Sequence, residues 1–295
     1  MRAFPALALI LLAAATACDA ADRDFAKTVP ADARGAVEIS NVSGSVSIIG
    51  WERPEVEVKA KLSAGVERVD VGSDRGRTVI KVVLPSMSSR HGEAELEVHV
   101  PRQSELEVTA VSADLDTSQM LGAQRLKSVS GDIRAELAAA DFEAKTVSGD
   151  IKVRGNAQAA DVRVSTVSGD LVVERSAGAI DATTVSGDLR VALDPARGAR
   201  LHTTSGDITF SGALTRDASL EAETISGDIV LKARGEAGYD YEASSFSGDL
   251  GNCFGKEAES TSRHGPGTRL NGSVGAGSAR VRVRSMSGDV DLCDH

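Results

Sequence analysis

The chain has 295 residues, a net charge of −10 and an apolar fraction of 41% with only 3% aromatic residues. That balance argues against binding to nucleic acid or to anionic lipid by charge alone, since both need clustered Lys and Arg, and against a wide aromatic core. With 29 Gly and 7 Pro, the composition fits a repetitive β-protein with many turns and a thin core of Ala, Val, Leu and Ile.

The first element is a targeting signal. Arg2 supplies a positive start, Ala3 to Ala17 is apolar, and Ala15-Thr16-Ala17 is a small-residue cleavage site, so residues 1–17 read as a secretory signal peptide. The run is short for a membrane span, and no later segment is long and apolar enough for one. Export follows, to a compartment where disulfides persist. Ala15-Thr16-Ala17-Cys18 also resembles a bacterial lipobox, with Ala15 where Leu is usual. Two fates of Cys18 stand side by side. One is lipidation, the sole membrane attachment expected; the other is ordinary cleavage that leaves or discards the thiol. Residues 18–33 are polar and Ala-rich and read as a tether, with 34–295 as the body of the protein.

Val37, Ile39, Val42, Val46 and Ile48 open that body around Ser43-Gly44-Ser45. Pro54 to Leu62, Thr78 to Leu84 and Ala94 to Val100 alternate apolar and polar residues, as strands do. They read as hairpins and a broad first coil that cap a longer stack.

The stack itself is built from a repeat. Ser-Gly-Asp recurs with its glycine at Gly131, Gly149, Gly169, Gly187, Gly206, Gly227, Gly248 and Gly288, after a degenerate Ser112-Ala113-Asp114. Successive spacings from position 113 are 18, 18, 20, 18, 19, 21, 21 and 40. The last is about two periods, as if one copy had lost its motif. Counted from the glycine, positions −7, −5, −2, +2 and +4 are mostly apolar and read as inward columns, as in Val162, Val164, Val167, Leu171 and Val173 or Leu220, Ala222, Ile225, Ile229 and Leu231. Position −3 is small and polar: Thr146, Thr166, Thr184, Thr203, Thr224. The period of two predicts strands on both sides of the triplet, and its phase shift there predicts a bend, for which glycine removes the steric barrier. No helical pattern separates the strands, so a βαβ sheet is not expected. The predicted fold is all-β: a single-stranded parallel β-helix (β-solenoid) of about ten coils, spaced about 4.8 Å apart.

Two outward columns result from that stacking. Position −6 reads Glu107, Arg125, Glu143, Arg163, Asp181, Arg200, Glu221, Glu242, alternating in sign until the last pair. Opposite charges stacked between neighbouring strands attract by roughly 0.2–1 kcal/mol, which suits coil-to-coil pairing on a solvated face. Position +1 is a column of like charges, Asp132, Asp150, Asp170, Asp188, Asp207, Asp228, Asp249 and Asp289. At about 4.8 Å such charges repel by about 1 kcal/mol even in water. Backbone N–H bonds with solvent exposure would relieve this, as would bound cations.

Ser260 to Gly277 is rich in Gly, Ser and Arg and reads as an excursion, with Thr268 to Val274 and Ala279 to Ser285 as a hairpin. Cys253 lies five residues after Gly248 and Cys293 five after Gly288. If the excursion loops out, the shared register makes the two neighbours, and a Cys253–Cys293 disulfide is expected. Gly272 to Gly277 is a turn, since no Lys-Ser/Thr comes after it as in a phosphate loop. The histidines His91, His99, His202, His264 and His295 are scattered, without metal-ligand or triad spacing. No catalytic residue, cofactor or metal site is expected. Trp51 reads as a packing residue of the cap, with a sugar-stacking platform as the alternative.

The repeat Thr-Val-Ser-Gly-Asp-Ile-x-Val resembles that of bacterial families described as putative adhesins, exported or lipid-anchored β-solenoids similar to autotransporter adhesin heads. Asn41-Val42-Ser43-Gly44-Ser45-Val46 followed by Gly50-Trp51 looks like their opening segment. Asn252-Cys253-Phe254-Gly255, Arg263-His264-Gly265-Pro266-Gly267 and Ser287-Gly288-Asp289-Val290-Asp291-Leu292-Cys293 look like the closing segment of a proteobacterial branch. The resemblance covers residues 34–295. It implies a non-enzymatic envelope scaffold that meets a protein or glycan ligand at the cell surface. The alternatives are an envelope-stress protein sensing antimicrobial peptides, which some relatives resemble, and a polysaccharide-active enzyme. The last needs a groove with clustered Lys, Arg and carboxylates, which no coil shows.

Overall fold

The computed structural model describes residues 23–85, 92–138, 140–235, 238–261 and 266–294. The cleavage region and Cys18 lie outside them. Every regular element described is a strand. The N-terminal part contains β1 (Arg23–Pro30), β2 (Ala36–Trp51), β3 (Glu55–Leu62), β4 (Arg68–Asp74), β5 (Arg77–Val83) and β6 (Ala94–Pro101). The repeats form β7 (Glu105–Ser118), β8 (Gln124–Lys127), β9 (Ile133–Glu136), β10 (Phe142–Lys145), β11 (Ile151–Arg154), β12 (Ala159–Ser165), β13 (Leu171–Thr183), β14 (Leu189–His202), β15 (Ile208–Ser226) and β16 (Ile229–Gly235). The C-terminal part holds β17 (Gly238–Ser247), β18 (Leu250–Asn252), β19 (Glu259–Ser260), β20 (Thr268–Gly275), β21 (Ala279–Ser287) and β22 (Val290–Cys293).

Through the repeats the stacking is parallel and in register. The arm before each triplet pairs with the arm before the next, as in Glu107↔Arg125, Arg125↔Glu143 and Glu143↔Arg163. The arm after each triplet does the same, as in Ile133↔Ile151↔Leu171↔Leu189↔Ile208↔Ile229. Side chains at −7, −5, +2 and +4 point inward; Val162, Val164, Leu171 and Val173 are all buried. Each such side chain contributes about 1.5–3 kcal/mol on burial, so the core outweighs the charge ladders on the surface. The uneven period is absorbed on the return side, where β13–β14 and β14–β15 slip register.

The corner explains the triplet. A Cβ built on Gly187 would lie 2.1 Å from the carbonyl oxygen of Gly169, and the same approach recurs from Gly131 to Gly288. Gly187 also has φ +146°, which side-chain-bearing residues rarely adopt. The residue at −3 turns inward, and its hydroxyl donates to the glycine carbonyl of the adjacent coil: Thr146 to Gly131, Thr184 to Gly169, Thr203 to Gly187 and Thr224 to Gly206, at 3.3 to 3.4 Å. A buried polar group is thereby satisfied at every level.

Three expectations are corrected. The sheet is mixed, not purely parallel: β1–β3, β3–β6, β4–β5, β17–β20 and β19–β20 are antiparallel. A parallel stack leaves an open edge at each end, and an antiparallel strand is a compact way to cover it. Residues 23–30, read as tether, are such a cover: β1 pairs with β3 along its whole length. Finally, Thr268 to Val274 and Ala279 to Ser285 do not form a hairpin. β20 and β21 lie on opposite edges of β17, antiparallel and parallel to it. The long final spacing therefore holds a cap and no lost coil.

Coil order in space departs from chain order at both ends. β2 lies between β5–β6 on one side and β7 on the other. The last coil, β21–β22, lies between β15–β16 and β17–β18. That insertion completes the −6 ladder, because Arg282 sits between Glu221 and Glu242, 4.0 and 3.8 Å from their carboxylates. Beyond it the final cap packs Tyr239, Tyr241 and Phe254 together, and burial pushes the Tyr239 hydroxyl pKa up.

Two outcomes are expected. Gly187→Ala should destabilise the fold by about 2–4 kcal/mol in urea unfolding, through overpacking and backbone strain together. Arg282→Glu should cost on the order of 1 kcal/mol at low salt and less at high salt. No salt-dependent loss would mean that Arg282 is not flanked by two carboxylates.

Candidate interaction face

The inward turn of −3 forces −2 outward, against the expectation that −2 lines the core. Val111, Val129, Val147, Val167, Val185, Ile225, Met286 and Phe246 succeed one another up the stack, with Thr204 between Val185 and Ile225. They are 46% to 57% exposed and make up eight of the ten large exposed apolar residues described. Scattered exposed apolar residues are ordinary, whereas these are ordered level by level and interrupted only at Thr204. The length of the file over nine levels is about 38 Å.

Charged columns flank this apolar column. On the corner side each Asp carboxylate accepts the amide N–H of the next Asp: Asp114 from Asp132 (2.9 Å), Asp132 from Asp150 (3.1 Å), Asp150 from Asp170 (2.9 Å) and Asp170 from Asp188 (2.9 Å). Asp188 accepts from Asp207 (3.0 Å), Asp207 from Asp228 (2.9 Å), Asp228 from Asp289 (2.8 Å) and Asp289 from Asp249 (2.8 Å). These charge-assisted bonds offset the repulsion of the stacked carboxylates. Arg134 and Arg190 pair with Asp132 and Asp188 at 2.9 and 2.7 Å.

On the other side, position −4 carries Lys127, Lys145, His202, Glu223 and Arg284, with Thr109, Ser165, Thr183 and Ser244 at the remaining levels. The ammonium of Lys145, with Arg125, holds the Glu143 carboxyl below the usual carboxylate range. At the C-terminal end a concavity of about 410 Å³ opens beside Ile225, Met286 and Phe246. Glu223 and Arg284 pair across its polar side at 3.0 Å, with His202 3.9 Å from Glu223.

The remaining candidates take separate places. Cys253 and Cys293 are disulfide-bonded with Cα atoms 5.0 Å apart, as their shared register requires. Trp51 packs in the cap: its indole N–H donates to the Glu55 carbonyl at 2.8 Å, His99 stacks at 5.0 Å and Arg53 lies over the ring at 4.9 Å. Among the described residues, no group of three or more His, Cys, Asp or Glu is placed to hold a metal ion. His91, His264 and His295 fall outside the described residues.

Together these features define an all-β, solenoid-like stack with a capped end at each side and one ordered apolar file on its surface. A family model described as Toastrack DUF4097 matches residues 73–293, and the chain belongs to that family. Solved structures to which the chain is similar include a putative cell adhesion protein from Clostridium sporogenes, 12% identical, with 92% of this chain and 99% of that chain covered and a TM-score of 0.25. Putative adhesins from Parabacteroides merdae and Bacteroides fragilis are 11% and 9% identical, each covering 92% of this chain, with 96% and 97% of theirs covered and TM-scores of 0.30 and 0.31. A search of curated proteins found no match.

The disulfide ties the outermost coil to the inserted one and closes a separation of 40 residues. Replacing Cys253 and Cys293 by Ala should lower stability by about 4 kcal/mol on loop entropy, read as a lower melting temperature. An unchanged melting temperature would mean that strand pairing alone holds the outer coil.

Proposed function

We propose that the protein is a non-enzymatic scaffold of the bacterial cell envelope that uses its apolar column to bind a surface ligand. The exposed file from Val111 to Phe246 carries this reading, because a strand face without a partner would ordinarily be polar there. Its side chains are held by a rigid stack, so binding costs little ordering entropy. Export by the N-terminal segment, with release into the periplasm or anchoring through Cys18, would place this face at the envelope. The parallel repeats extend into a β-solenoid in this reading, with the antiparallel strands as its caps. The scattered histidines and the commitment of the Asp carboxylates to backbone bonds support a role without catalysis.

A second reading is favoured by the Asp column beside the apolar one. Apolar and anionic columns side by side complement a cationic amphipathic peptide, as an envelope-stress sensor of antimicrobial peptides would require.

Binding of labelled protein to isolated envelopes tests the first reading. The double variant Val147→Glu/Val185→Glu should bind about tenfold more weakly, while Val79→Glu, an exposed apolar site off the column, should bind as the native chain does. Equal binding by all three would overturn the proposal. Displacement of bound protein by a cationic amphipathic peptide would favour the second reading.

A further inference from the structure

The apolar column has a definite width as well as a length. With its two flanking columns, from −4 to +1, it spans at most about 16 Å, which with its length gives a patch of at most about 600 Å². Two such patches together bury at most about 1,200 Å², at the lower limit for a specific interface. The columns beside it differ in sign. Position +1 is Asp at every level from Asp114 to Asp249, while −4 carries the cations Lys127, Lys145 and Arg284, the acid Glu223, and the neutral or imidazole side chains of Thr109, Ser165, Thr183, His202 and Ser244.

We propose that this face pairs with the same face of a second copy, the two stacks parallel and related by a two-fold axis along the stack. The proposal rests on the column being an interaction face and names its occupant. Closed two-fold pairing lets one patch complement itself, and only two axes in the plane of the face keep the two columns aligned. An axis along the stack exchanges the flanks. Lys127 then faces the partner's Asp132 and Lys145 the partner's Asp150, each level meeting its own. An axis across the stack instead sets one Asp column against the other, which like charges oppose. Glu223 is the single acid on the basic flank, and Arg284 neutralises it at 3.0 Å. The concavity beside Met286 and Phe246 gives room for the larger side chains where the two copies meet.

Parallel pairing keeps the N-terminal ends of both copies on the same side. Two chains exported and held at one membrane could therefore associate side by side without reversal. The affinity would be modest, given the area, and would fall with salt as the flanking charges are screened.

Sedimentation of the purified exported chain, from low micromolar to several hundred micromolar, tests the pairing. A concentration-dependent dimer is expected, weakened at least about tenfold in Val147→Glu/Val185→Glu. Both positions are about half exposed, so the core is left intact, and an unchanged circular dichroism spectrum checks this. A chain that stays monomeric throughout, or a dimer that the double variant leaves undiminished, would overturn the proposal. A benzophenone amino acid at position 147 reads the alignment. Cross-links to the 147 region of the second copy support parallel pairing, and cross-links to the 225 region refute it. A monomeric chain whose double variant still binds envelopes more weakly would refute self-pairing and leave the interaction-face reading standing. Unchanged envelope binding together with a monomeric chain would remove both.

Discussion

The close approach of one corner to the next governs this molecule. Adjacent coils meet so tightly at the triplet that a Cβ on Gly206 would lie 2.1 Å from the Gly187 carbonyl oxygen. Without a side chain there, the corners stack at the strand spacing and the remaining groups fall into columns. The Gly187 carbonyl accepts the Thr203 hydroxyl, and the Asp188 carboxylate accepts the Asp207 N–H. Each coil thus satisfies polar groups of its neighbour at the point where the backbone bends away from regular strand pairing. Triplet and stack depend on each other, because an isolated corner would have no carbonyl above it and no reason to exclude a side chain.

A repetitive stack still needs two ends, and here the chain solves both in the same way. At each end one coil is inserted between two that lie apart from it in sequence, and antiparallel strands cover what remains open. The inserted coils have both edges paired, so the first and last repeat segments are interior elements of the sheet. At the C-terminal end the disulfide joins the inserted coil to the outer one. The outer coil is thereby held by a covalent bond, by parallel pairing with β21 and β22, and by the β20 cover.

The exposed apolar column is a by-product of the same corner. Once the hydroxyl at −3 turns inward to reach a carbonyl, the next residue must point outward, whatever its hydropathy. At this outward position the chain places Val, Ile, Met and Phe in eight of nine levels. A purely structural surface would be served as well by Thr, as position 204 shows. The apolar choice, repeated beside a column of carboxylates, distinguishes this edge from the charge-paired −6 column, whose alternating signs are satisfied within the stack.

Much of this was legible in the residues themselves. The recurrence of Ser-Gly-Asp defined the coil, the period of two defined the −7, −5, +2 and +4 core positions, and the common register of Cys253 and Cys293 defined their bond. These features are local or strictly periodic, so sequence spacing carries them. The direction of −2 was not legible, since hydropathy favours Val over Thr for the interior. Only the neighbouring coil's carbonyl makes the buried hydroxyl the better choice. Nor was β1, whose side chains are mostly exposed and which exists because β3 offers an open edge. The order of the coils was likewise hidden, although one trace of it was visible: Glu221 and Glu242 broke the alternation of the −6 column. The sequence alone therefore determined what a coil is and that its −7, −5, +2 and +4 positions face the core. The tertiary structure decided which coils touch, because adjacency is set by long-range edge pairing that no local spacing encodes. It inserted Arg282 between those two carboxylates and turned a column assigned to the core into the exposed face of the protein.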